Sequence, residues 1–491
     1  MLGFCTVRRI NNNFSVFEYN ILIKTERSHV ERALTMRDIR LTYYDTDIRL
    51  STYLLNFFRI VGIYADERII TELEDEEQIE DKELEFLGIN IVIVCPEMNY
   101  DEFSYYDIFD ENIYLLKEED NIQIEDNEGI ILFSEKEDEL KTLKNLISKL
   151  AERDEIFEDE EEALIELAGI YERHSLKEAM LGTRFSVPHE KNFKLFCKKY
   201  MKAIDDIYTI TEYEYSNFAK FSIAYLAYEY NYYCKRLKRG FWYDVDSILS
   251  YIDDLQDEAD EEWISLDLLF AQIYGDLRKD IDHAFEYYSD VVEISDYNAL
   301  AWYKMGTMIE KKYEDYNTAI EYYESAIEIN PYYIPALYKN ALCCFKMGEL
   351  SEARNLYINL SDVLDKRQEQ KILRPKEIWY LFQTYVHLAE IEWVQYGDAG
   401  FSLYWYEEAE QLWNNIISED GDDFYTHFVE EMYGNNDGKL LISFENLKSC
   451  LDLKMIEVYE RIIALNEYLE NTEVVTQYKS KLDYIRKGVE I

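Results

Sequence analysis

The sequence has few residues that break helices and few positive charges. Only 5 prolines and 16 glycines occur among 491 residues, which favours long helices joined by short loops. Lysine and arginine number 51 against 101 aspartates and glutamates, so the formal net charge is −50. Such a negative field repels phosphate backbones and anionic lipid surfaces. We therefore expect neither a nucleic-acid partner nor a membrane partner.

The sequence also lacks the spacings that metal sites, disulfide frameworks and nucleotide cradles require. None of the seven cysteines forms a Cys-x-x-Cys pair, and no two of the six histidines are spaced as zinc ligands. Neither G-x-G-x-x-G nor G-x-x-x-x-G-K-[ST] occurs, and no run reaches the roughly 18 apolar residues of a membrane helix. We expect no metal and no cofactor, and a cytoplasmic protein with reduced cysteines and no secretory signal.

What the sequence does have is a repeat with a period of 34 to 35 residues. Ala319 and Tyr323 recur as Ala353 and Tyr357, a shift of 34 residues (353 − 319). The same pattern stands one period earlier, at a shift of 35 (319 − 284), where the corresponding residues are Ala284, Tyr288 and Val291. A fixed period in this range is typical of stacked helical hairpins.

The repeated residues resemble the tetratricopeptide repeat (TPR). The family has the motifs W-x-x-L-G and A-x-x-x-F/Y-x-x-A and a closing proline. The residues at those positions here are Trp302, Met305, Gly306, Ala319, Tyr323, Ala326 and Pro331. The resemblance is strong over 299–364 and weaker over 263–296. It implies that the first helix of each hairpin lines a concave face that binds a protein or peptide.

The best two repeats supply candidate binding residues on their first helices. These are Tyr303, Thr307, Tyr338, Leu342, Phe345 and Lys346. Because most of them are aromatic or apolar, we expect an apolar or basic segment as the partner, not an acidic tail. A separate basic cluster at 235–240 is interpreted first as a helix C-terminus, since cations suit that end and Gly240 follows. A docking patch for an acidic surface is the alternative interpretation.

Residues 37–152 alternate between strand and helix patterns. Strands are predicted at 38–43, 62–65, 89–94, 112–116 and 129–133, and helices at 50–61 and 140–150. Ile89–Val94 is almost continuously β-branched and apolar, which is typical of a central parallel strand buried on both faces. This alternation predicts a flavodoxin-like, doubly wound parallel sheet.

The α/β region resembles a Toll/interleukin-receptor (TIR) domain. The segments 41–47 and 62–66 stand where that family has S-Y-x-x-x-D and its second strand, and 95–107 stands where it has S-x-x-x-x-x-S-x-W-C-x-x-E. In the last segment Phe103, Ser104 and Asp107 stand at the Trp, Cys and Glu positions. Some family members cleave NAD with that glutamate, so the resemblance makes Asp107 the candidate catalytic residue. Its side chain is one methylene shorter than glutamate.

These observations predict a mainly α protein, in which a TPR-like solenoid follows a smaller TIR-like α/β domain. The expected divisions are an extension at 1–36, the α/β domain at 37–152, a helical connector at 153–260, repeats at 261–365 and C-terminal helical repeats at 366–491. The expected function is a protein-interaction scaffold in a signalling or defence assembly, with docking or self-association through the α/β domain. The alternative is an NAD-cleaving effector regulated by its repeats, which the missing glutamate disfavours.

Overall fold

The structure is a computed structural model, and it is mainly helical. It describes residues 39–44, 48–70, 89–94, 113–117, 130–133, 139–153, 158–176, 190–209, 216–236, 238–258, 263–295, 298–369, 373, 375–417 and 441–489. All of these residues belong to one compact unit, Met36–Ile491. The extension predicted at 1–36 and the loop at 434–438 lie outside the described residues.

The strands form one parallel sheet of five strands, as predicted. They are β1 (Ile39–Tyr44), β2 (Ala65–Ile70), β3 (Ile89–Val94), β4 (Ile113–Lys117) and β5 (Ile130–Phe133), in the order β2-β1-β3-β4-β5. Side chains of β3 are buried on both faces, since Ile91, Val92 and Ile93 are all inaccessible to solvent. The apolar run of this strand is therefore explained by burial on both faces, as the sequence indicated.

The second strand is not where the sequence placed it, and the prediction at 62–65 is wrong. The preceding helix, α1 (Ile48–Val61), is followed by Gly62, which has a φ of +84°. The Ile63 N–H then closes the helix end by donating to the Phe58 carbonyl oxygen at 2.9 Å. The strand that follows contains three charged residues in a row, because it lies at the edge of the sheet, where charge is tolerated.

Two helices cover the same face of the sheet. α1 packs on β1 and β2, α2 (Glu139–Glu152) packs on β5, and the two helices contact each other. The chain between the other strands lies outside the described residues, so the doubly wound arrangement stays a prediction. α1 is buried on more than its sheet face, because α3 (Glu158–Arg173) and α5 (Asn217–Arg236) pack against it from the other side. Tyr53 and Phe57 are therefore as fully buried as Leu54.

Helical hairpins follow the sheet. Two more connecting helices are α4 (Glu190–Thr209) and α6 (Val245–Glu258). The hairpins begin with α7 (Ile264–Gln272), which continues as a π-helical segment, Ile273–Arg278. The remaining helices are α8 (Ile281–Ile294), α9 (Ala299–Tyr313), α10 (Tyr316–Ile329), α11 (Ile334–Met347), α12 (Leu350–Glu369), α13 (Pro375–Tyr396), α14 (Ala399–Ile417), α15 (Leu441–Tyr468) and α16 (Thr472–Val489).

Each odd-numbered helix from α7 pairs with the even-numbered helix after it, and each pair also packs on the next. Small residues allow the close approach, as predicted. A Cβ atom added at Gly306 in α9 would lie 2.8 Å from the Tyr323 ring and 3.1 Å from the Ala319 carbonyl oxygen, both in α10. Ala319 and Tyr323 are inaccessible to solvent. The sequence pattern of small and aromatic residues therefore marks the contact within each hairpin.

The sheet and the first hairpin share a hydrophobic core. The indole of Trp263, just before α7, packs against the rings of Phe218 and Phe221 in α5, with ring centroids 5.9 and 5.3 Å away. Phe221 and Trp263 also lie against Gly62 at the end of α1. One continuous cluster of buried apolar residues runs from Ile39 in β1 to Leu277 at the start of the hairpins.

Candidate functional site

The first helices of neighbouring hairpins carry equivalent residues at a spacing of 35. Tyr303, Lys304, Thr307, Glu310 and Lys311 in α9 correspond to Tyr338, Lys339, Leu342, Phe345 and Lys346 in α11. We call the surface formed by α7, α9 and α11 the inner face. All six residues predicted to bind a partner lie on α9 or α11.

The predicted residues differ in how much solvent they meet. Tyr338 is only 8% exposed, and its ring contacts Tyr357, Tyr380 and His387, so its first role is to pack α11 on the next hairpin. Phe345 is half-buried and lies 4.9 Å from the same His387 ring.

The other candidates are more available. Leu342 and Thr307 are half-buried, and the Thr307 hydroxyl donates to the Tyr303 carbonyl oxygen at 2.9 Å. Tyr303 is half-buried beside the rings of Tyr323 and Tyr333. The structure thus brings Tyr338 and Phe345 together at His387 and places Tyr303 and Thr307 together on α9.

Lys346 belongs to a charged group that the sequence did not reveal. The buried carboxylate of Glu310 in α9 accepts hydrogen bonds from Lys346 at 2.7 Å, Lys339 at 2.9 Å and the Tyr323 hydroxyl at 2.9 Å. Burial acts to raise the pKa of Glu310, but the hydrogen bonds from the two lysines and the tyrosine outweigh it and hold the pKa below its usual value. Glu310 therefore stays ionised and joins α9 to α11.

Four further lysines act electrostatically on one another or on this group. Lys311 is exposed, but the surrounding protein partly desolvates its ammonium group. This desolvation and the charges of Lys339 and Lys304 lower the pKa of Lys311. Desolvation and the charges of Lys279 and Lys304 lower the pKa of Lys235 in the same way. We call these residues the lysine cluster: Lys235, Lys279, Lys304, Lys311, Lys339 and Lys346.

Carboxylates also act on the lysine cluster. Glu310 is one, and Asp276 in the π-helical segment is another, because its charge acts to raise the pKa of both Lys235 and Lys311 against the net lowering. Asp276 also accepts a hydrogen bond of 2.9 Å from the Tyr228 hydroxyl.

The sequence contained a signal for this cluster. Lys304 and Lys311 recur as Lys339 and Lys346 at the repeat spacing, a pattern that the strongly negative net charge of the whole chain hides. The basic stretch 235–240 is a helix end, as predicted: the Arg239 N–H donates to the Cys234 carbonyl oxygen at 2.9 Å, and Lys238 is left-handed with a φ of +55°. Its first residue, Lys235, nevertheless belongs to the lysine cluster.

A cavity of about 150 Å³ lies between the sheet and the inner face. Arg59 and Tyr64 line it from the sheet side, and Gln272 and Tyr333 line it from the hairpins. Residues near the start of β2 therefore lie beside the inner face.

Asp107, the residue predicted to be catalytic, lies outside the described residues. Among the residues that the structure does describe, no group of three or more His, Cys, Asp or Glu side chains could hold a metal ion. The described helices also include none long and apolar enough to cross a membrane. Cys197, Cys234, Cys343 and Cys344 are buried and unpaired by disulfides.

Comparison with known proteins identifies the repeat. The family described as "Tetratricopeptide repeat" matches residues 312–374. The match covers the α10–α11–α12 region, which carries part of the periodic alanine and tyrosine pattern. No curated protein matches the sequence.

Solved structures of low similarity include other helical-repeat proteins. The C-terminal part of a TPR repeat-containing protein from Cytophaga hutchinsonii is 14% identical, with 56% of this chain and 95% of that chain covered and a TM-score of 0.33. Yeast Tom70 is 14% identical, with 72% and 80% covered and a TM-score of 0.34. The human IFIT1 dimer with PPP-AAAA is 13% identical, with 71% and 78% covered and a TM-score of 0.32. These scores support no conclusion about function; the family match shows that the chain contains a tetratricopeptide repeat.

Proposed function

We propose that this protein is an interaction scaffold whose inner face binds an extended segment of a partner protein. The observation that carries the proposal is the row of equivalent residues on α9 and α11, where half-buried Thr307 and Leu342 alternate with lysines. Tetratricopeptide repeats generally mediate protein–protein interaction, and apolar side chains left half-exposed beside charged ones suit a peptide of mixed character.

The sheet gives the scaffold a second surface. The strand order β2-β1-β3-β4-β5 and its position beside the inner face support a TIR-like part that docks or self-associates in a signalling or defence assembly. The sheet and the first hairpin share a core, which fixes the sheet relative to the hairpins. A partner bound to the inner face would therefore meet the sheet in a fixed position. This is the feature that favours a scaffold over two independent modules.

NAD cleavage is the second candidate function, and it ranks below the first. One support for NAD cleavage is the strand order of the sheet. The other is that Asp107 follows β3 in the sequence, because ligands of open parallel sheets bind at the carboxyl ends of the strands. The aspartate at position 107, where the resemblance has a glutamate, weakens the case for NAD cleavage. The chain would then be an enzyme whose repeats sense a trigger, with NAD as substrate.

Peptide selection on the purified protein tests the scaffold proposal. Random peptides displayed on phage would be selected against the full chain, and the enriched peptides would be measured on two variants that fill the inner face, Thr307→Trp and Leu342→Trp. Asn317→Trp is the matched control, because Asn317 is exposed on α10, the second helix of its hairpin. Thermal melting would show which variants remain folded.

We expect selected peptides to lose about tenfold or more in affinity on the folded inner-face variants, which is roughly 1.4 kcal/mol, and to bind the control as they bind the parent. Peptides that bind all three variants equally would place recognition elsewhere and contradict the proposal.

A further inference from the structure

We propose that a groove between two turns of the chain binds an arginine side chain of a partner protein. One wall is the turn between α5 and α6, and the other is the turn between the π-helical segment and α8. The groove has a volume of about 650 Å³. Its aromatic and acidic lining residues are Phe241, Trp242, Tyr243, Asp244, Asp246 and Asp280. These turns are separate from α9 and α11, so the site goes beyond the proposed function of the inner face.

The first turn exposes aromatic rings on a backbone that hydrogen bonds hold in place. Trp242 is 64% exposed and Phe241 is 41% exposed. The buried side chain of Asn231 in α5 accepts hydrogen bonds from the N–H groups of Trp242 and Tyr243, both at 3.1 Å. The same side chain donates to the Tyr243 carbonyl oxygen at 2.7 Å. Large rings that face solvent on a fixed turn are typical of a binding surface.

A contact within the chain indicates the ligand chemistry that the groove accepts. The guanidinium of Arg278 lines the groove and forms an ion pair with Asp246 at the start of α6. It also lies over the ring of Tyr274, 5.7 Å from the ring centroid. A guanidinium is planar, so it can stack on an aromatic face while its N–H groups donate to a carboxylate. The groove therefore already holds one arginine by the two kinds of contact that we propose for a partner's arginine.

Asp244 offers a carboxylate to a second arginine. Its Oδ2 caps α6 by accepting hydrogen bonds from the Ser247 N–H at 2.9 Å and the Ser247 hydroxyl at 2.8 Å. These hydrogen bonds hold the pKa of Asp244 below its usual value, so the side chain is ionised at neutral pH. Its Oδ1 accepts no hydrogen bond from the described part of the chain, and a carboxylate can accept at both oxygens. Trp242, two residues earlier, supplies an exposed aromatic face in the same groove.

Asp280 adds a negative charge on the opposite wall. The His283 N–H donates to one of its carboxylate oxygens at 3.3 Å, and the His283 ring Nδ1 lies 2.7 Å from the other. Desolvation acts to raise the pKa of Asp280, but the contacts with His283 hold it below its usual value. Among the lining residues, Arg278 neutralises one of three aspartates, which leaves two negative charges. The net charge of −50 also steers a basic partner toward the chain.

An arginine fits this groove better than a small quaternary ammonium ligand does. A quaternary ammonium group donates no hydrogen bond, and proteins hold it in a cage of several aromatic rings. The most exposed ring of this groove, Trp242, has a carboxylate beside it instead. A guanidinium can use one ring and one carboxylate at the same time.

Fluorine NMR of the full chain labelled with 5-fluorotryptophan tests the inference. The chain has 7 tryptophans, and the substitutions Trp242→Phe and Trp393→Phe identify two of their resonances. Trp393 is the internal control, because it is exposed on α13, away from the groove. The probes are N-acetylarginine methylamide and the matching citrulline compound, in which a neutral urea replaces the guanidinium.

Two matched variants separate the carboxylate charge from helix capping. Asp244→Asn removes the charge but keeps a capping side chain, because asparagine caps helices about as well as aspartate. Asp398→Asn is the control, since Asp398 accepts hydrogen bonds from the N–H groups of Gly400 at 2.9 Å and Phe401 at 3.0 Å at the start of α14. Thermal melting would show that both variants remain folded.

We expect the arginine probe to shift the Trp242 resonance until it saturates and to leave the Trp393 resonance in place. The citrulline probe should shift neither resonance. Asp244→Asn should raise the Kd of the arginine probe about fivefold, and Asp398→Asn should leave it unchanged. The inference is overturned if the arginine probe does not shift Trp242, if the citrulline probe shifts it equally, or if the two aspartate variants bind the arginine probe equally.

Other occupants would be recognised by their own results. If tetramethylammonium shifts Trp242 at lower concentrations than the arginine probe does, the groove takes a small quaternary ligand and the inference is wrong. If Trp242 shifts when the protein concentration alone is raised, and sedimentation velocity shows a dimer, the groove binds a second copy of this chain, which also contradicts the inference. The peptide selection on the inner face does not depend on Trp242 or Asp244, so the two proposals fail separately.

Discussion

The indole Nε1 of Trp263 donates a 2.6 Å hydrogen bond to the carbonyl oxygen of Gly62, across 201 residues of sequence, and the bond is buried. It joins the end of the sheet's first helix to the start of the first hairpin. Close by, the Tyr53 hydroxyl donates to Glu172 at 3.0 Å, and the Tyr171 hydroxyl donates back to the Tyr53 carbonyl oxygen at 3.3 Å. The two parts of the chain are thus connected through polar bonds inside a shared apolar core.

Gly62→Ala should destabilise the whole unit. Gly62 has a φ of +84°, and an added Cβ would lie 2.7 Å from Phe221 and 2.8 Å from Trp263. The left-handed backbone costs roughly 1–2 kcal/mol for a residue other than glycine, and overpacking adds about 1–3 kcal/mol. Denaturant unfolding measures the loss.

Gly348→Ala is the matched control for that variant. It has the same φ of +84°, but a Cβ there would meet nothing within 4 Å. It should lose only the backbone contribution. Equal destabilisation by the two substitutions would mean that the contact between sheet and hairpins contributes nothing.

Gly306→Ala tests the register of the repeat. A Cβ at Gly306 would press on the buried Tyr323 ring, so the variant should lose about 1–3 kcal/mol although alanine is the better helix former. Gly169→Ala in α3 meets nothing within 4 Å and should gain about 0.5–1 kcal/mol. A stabilised Gly306→Ala variant would contradict the close packing of α9 on α10. By the same contact, Ala319→Leu should cost about 1–3 kcal/mol.

Glu310→Gln should remove a pH-dependent part of the stability. Because the folded-state pKa of Glu310 is lowered, its contribution is present above the unfolded pKa and is lost as pH falls through the folded pKa. At neutral pH the variant should lose about 1–3 kcal/mol, since two lysines lose their carboxylate. The gap between parent and variant should close in acid below the usual glutamate pKa of about 4.3.

Urea titrations at several pH values measure that gap. Glu321→Gln provides the control, because Glu321 is exposed on α10 and makes no ion pair within the described residues. A gap for Glu310→Gln that is the same at neutral and acid pH would show that the carboxylate charge is not what joins α9 to α11.

Asp107→Ala separates the two function classes. If the α/β part is a scaffold, the parent protein should release no nicotinamide from NAD, and the variant should be indistinguishable from it. Glu102→Ala controls for loss of a neighbouring acid. Nicotinamide release by the parent that falls about 100-fold in Asp107→Ala, but not in Glu102→Ala, would make the protein an enzyme.

The sequence predicted the fold correctly where a pattern of residue types has a single structural explanation. Ala319 and Tyr323 recur because a close helix contact accepts a small residue beside an aromatic one, and the structure buries both. The strand β3 was predicted to the residue because only burial on both faces explains five apolar, β-branched residues among its six positions. Local pattern and tertiary environment agree at these places.

Prediction failed where the environment is set by distant parts of the chain. β2 was misplaced because an edge strand admits Asp66 and Glu67, which hide the strand pattern. The lysine cluster was missed because it gathers Lys235 from α5 with lysines of α9 and α11, and no sequence window contains them all. Tyr338 was predicted to contact a partner, but the following hairpin covers its ring. That burial results from the packing of α13 on α11, which the local sequence does not show.

Photo-crosslinking tests the central claim most directly. A peptide selected by display would carry a diazirine-modified leucine at its centre, and mass spectrometry would locate the residues it labels on the full chain. The account predicts labels on the first helices α9 and α11, near Thr307, Leu342 and the lysine cluster, and none after competition with unlabelled peptide. Specific labelling confined to α10 and α12, the second helices of the same hairpins, would contradict it.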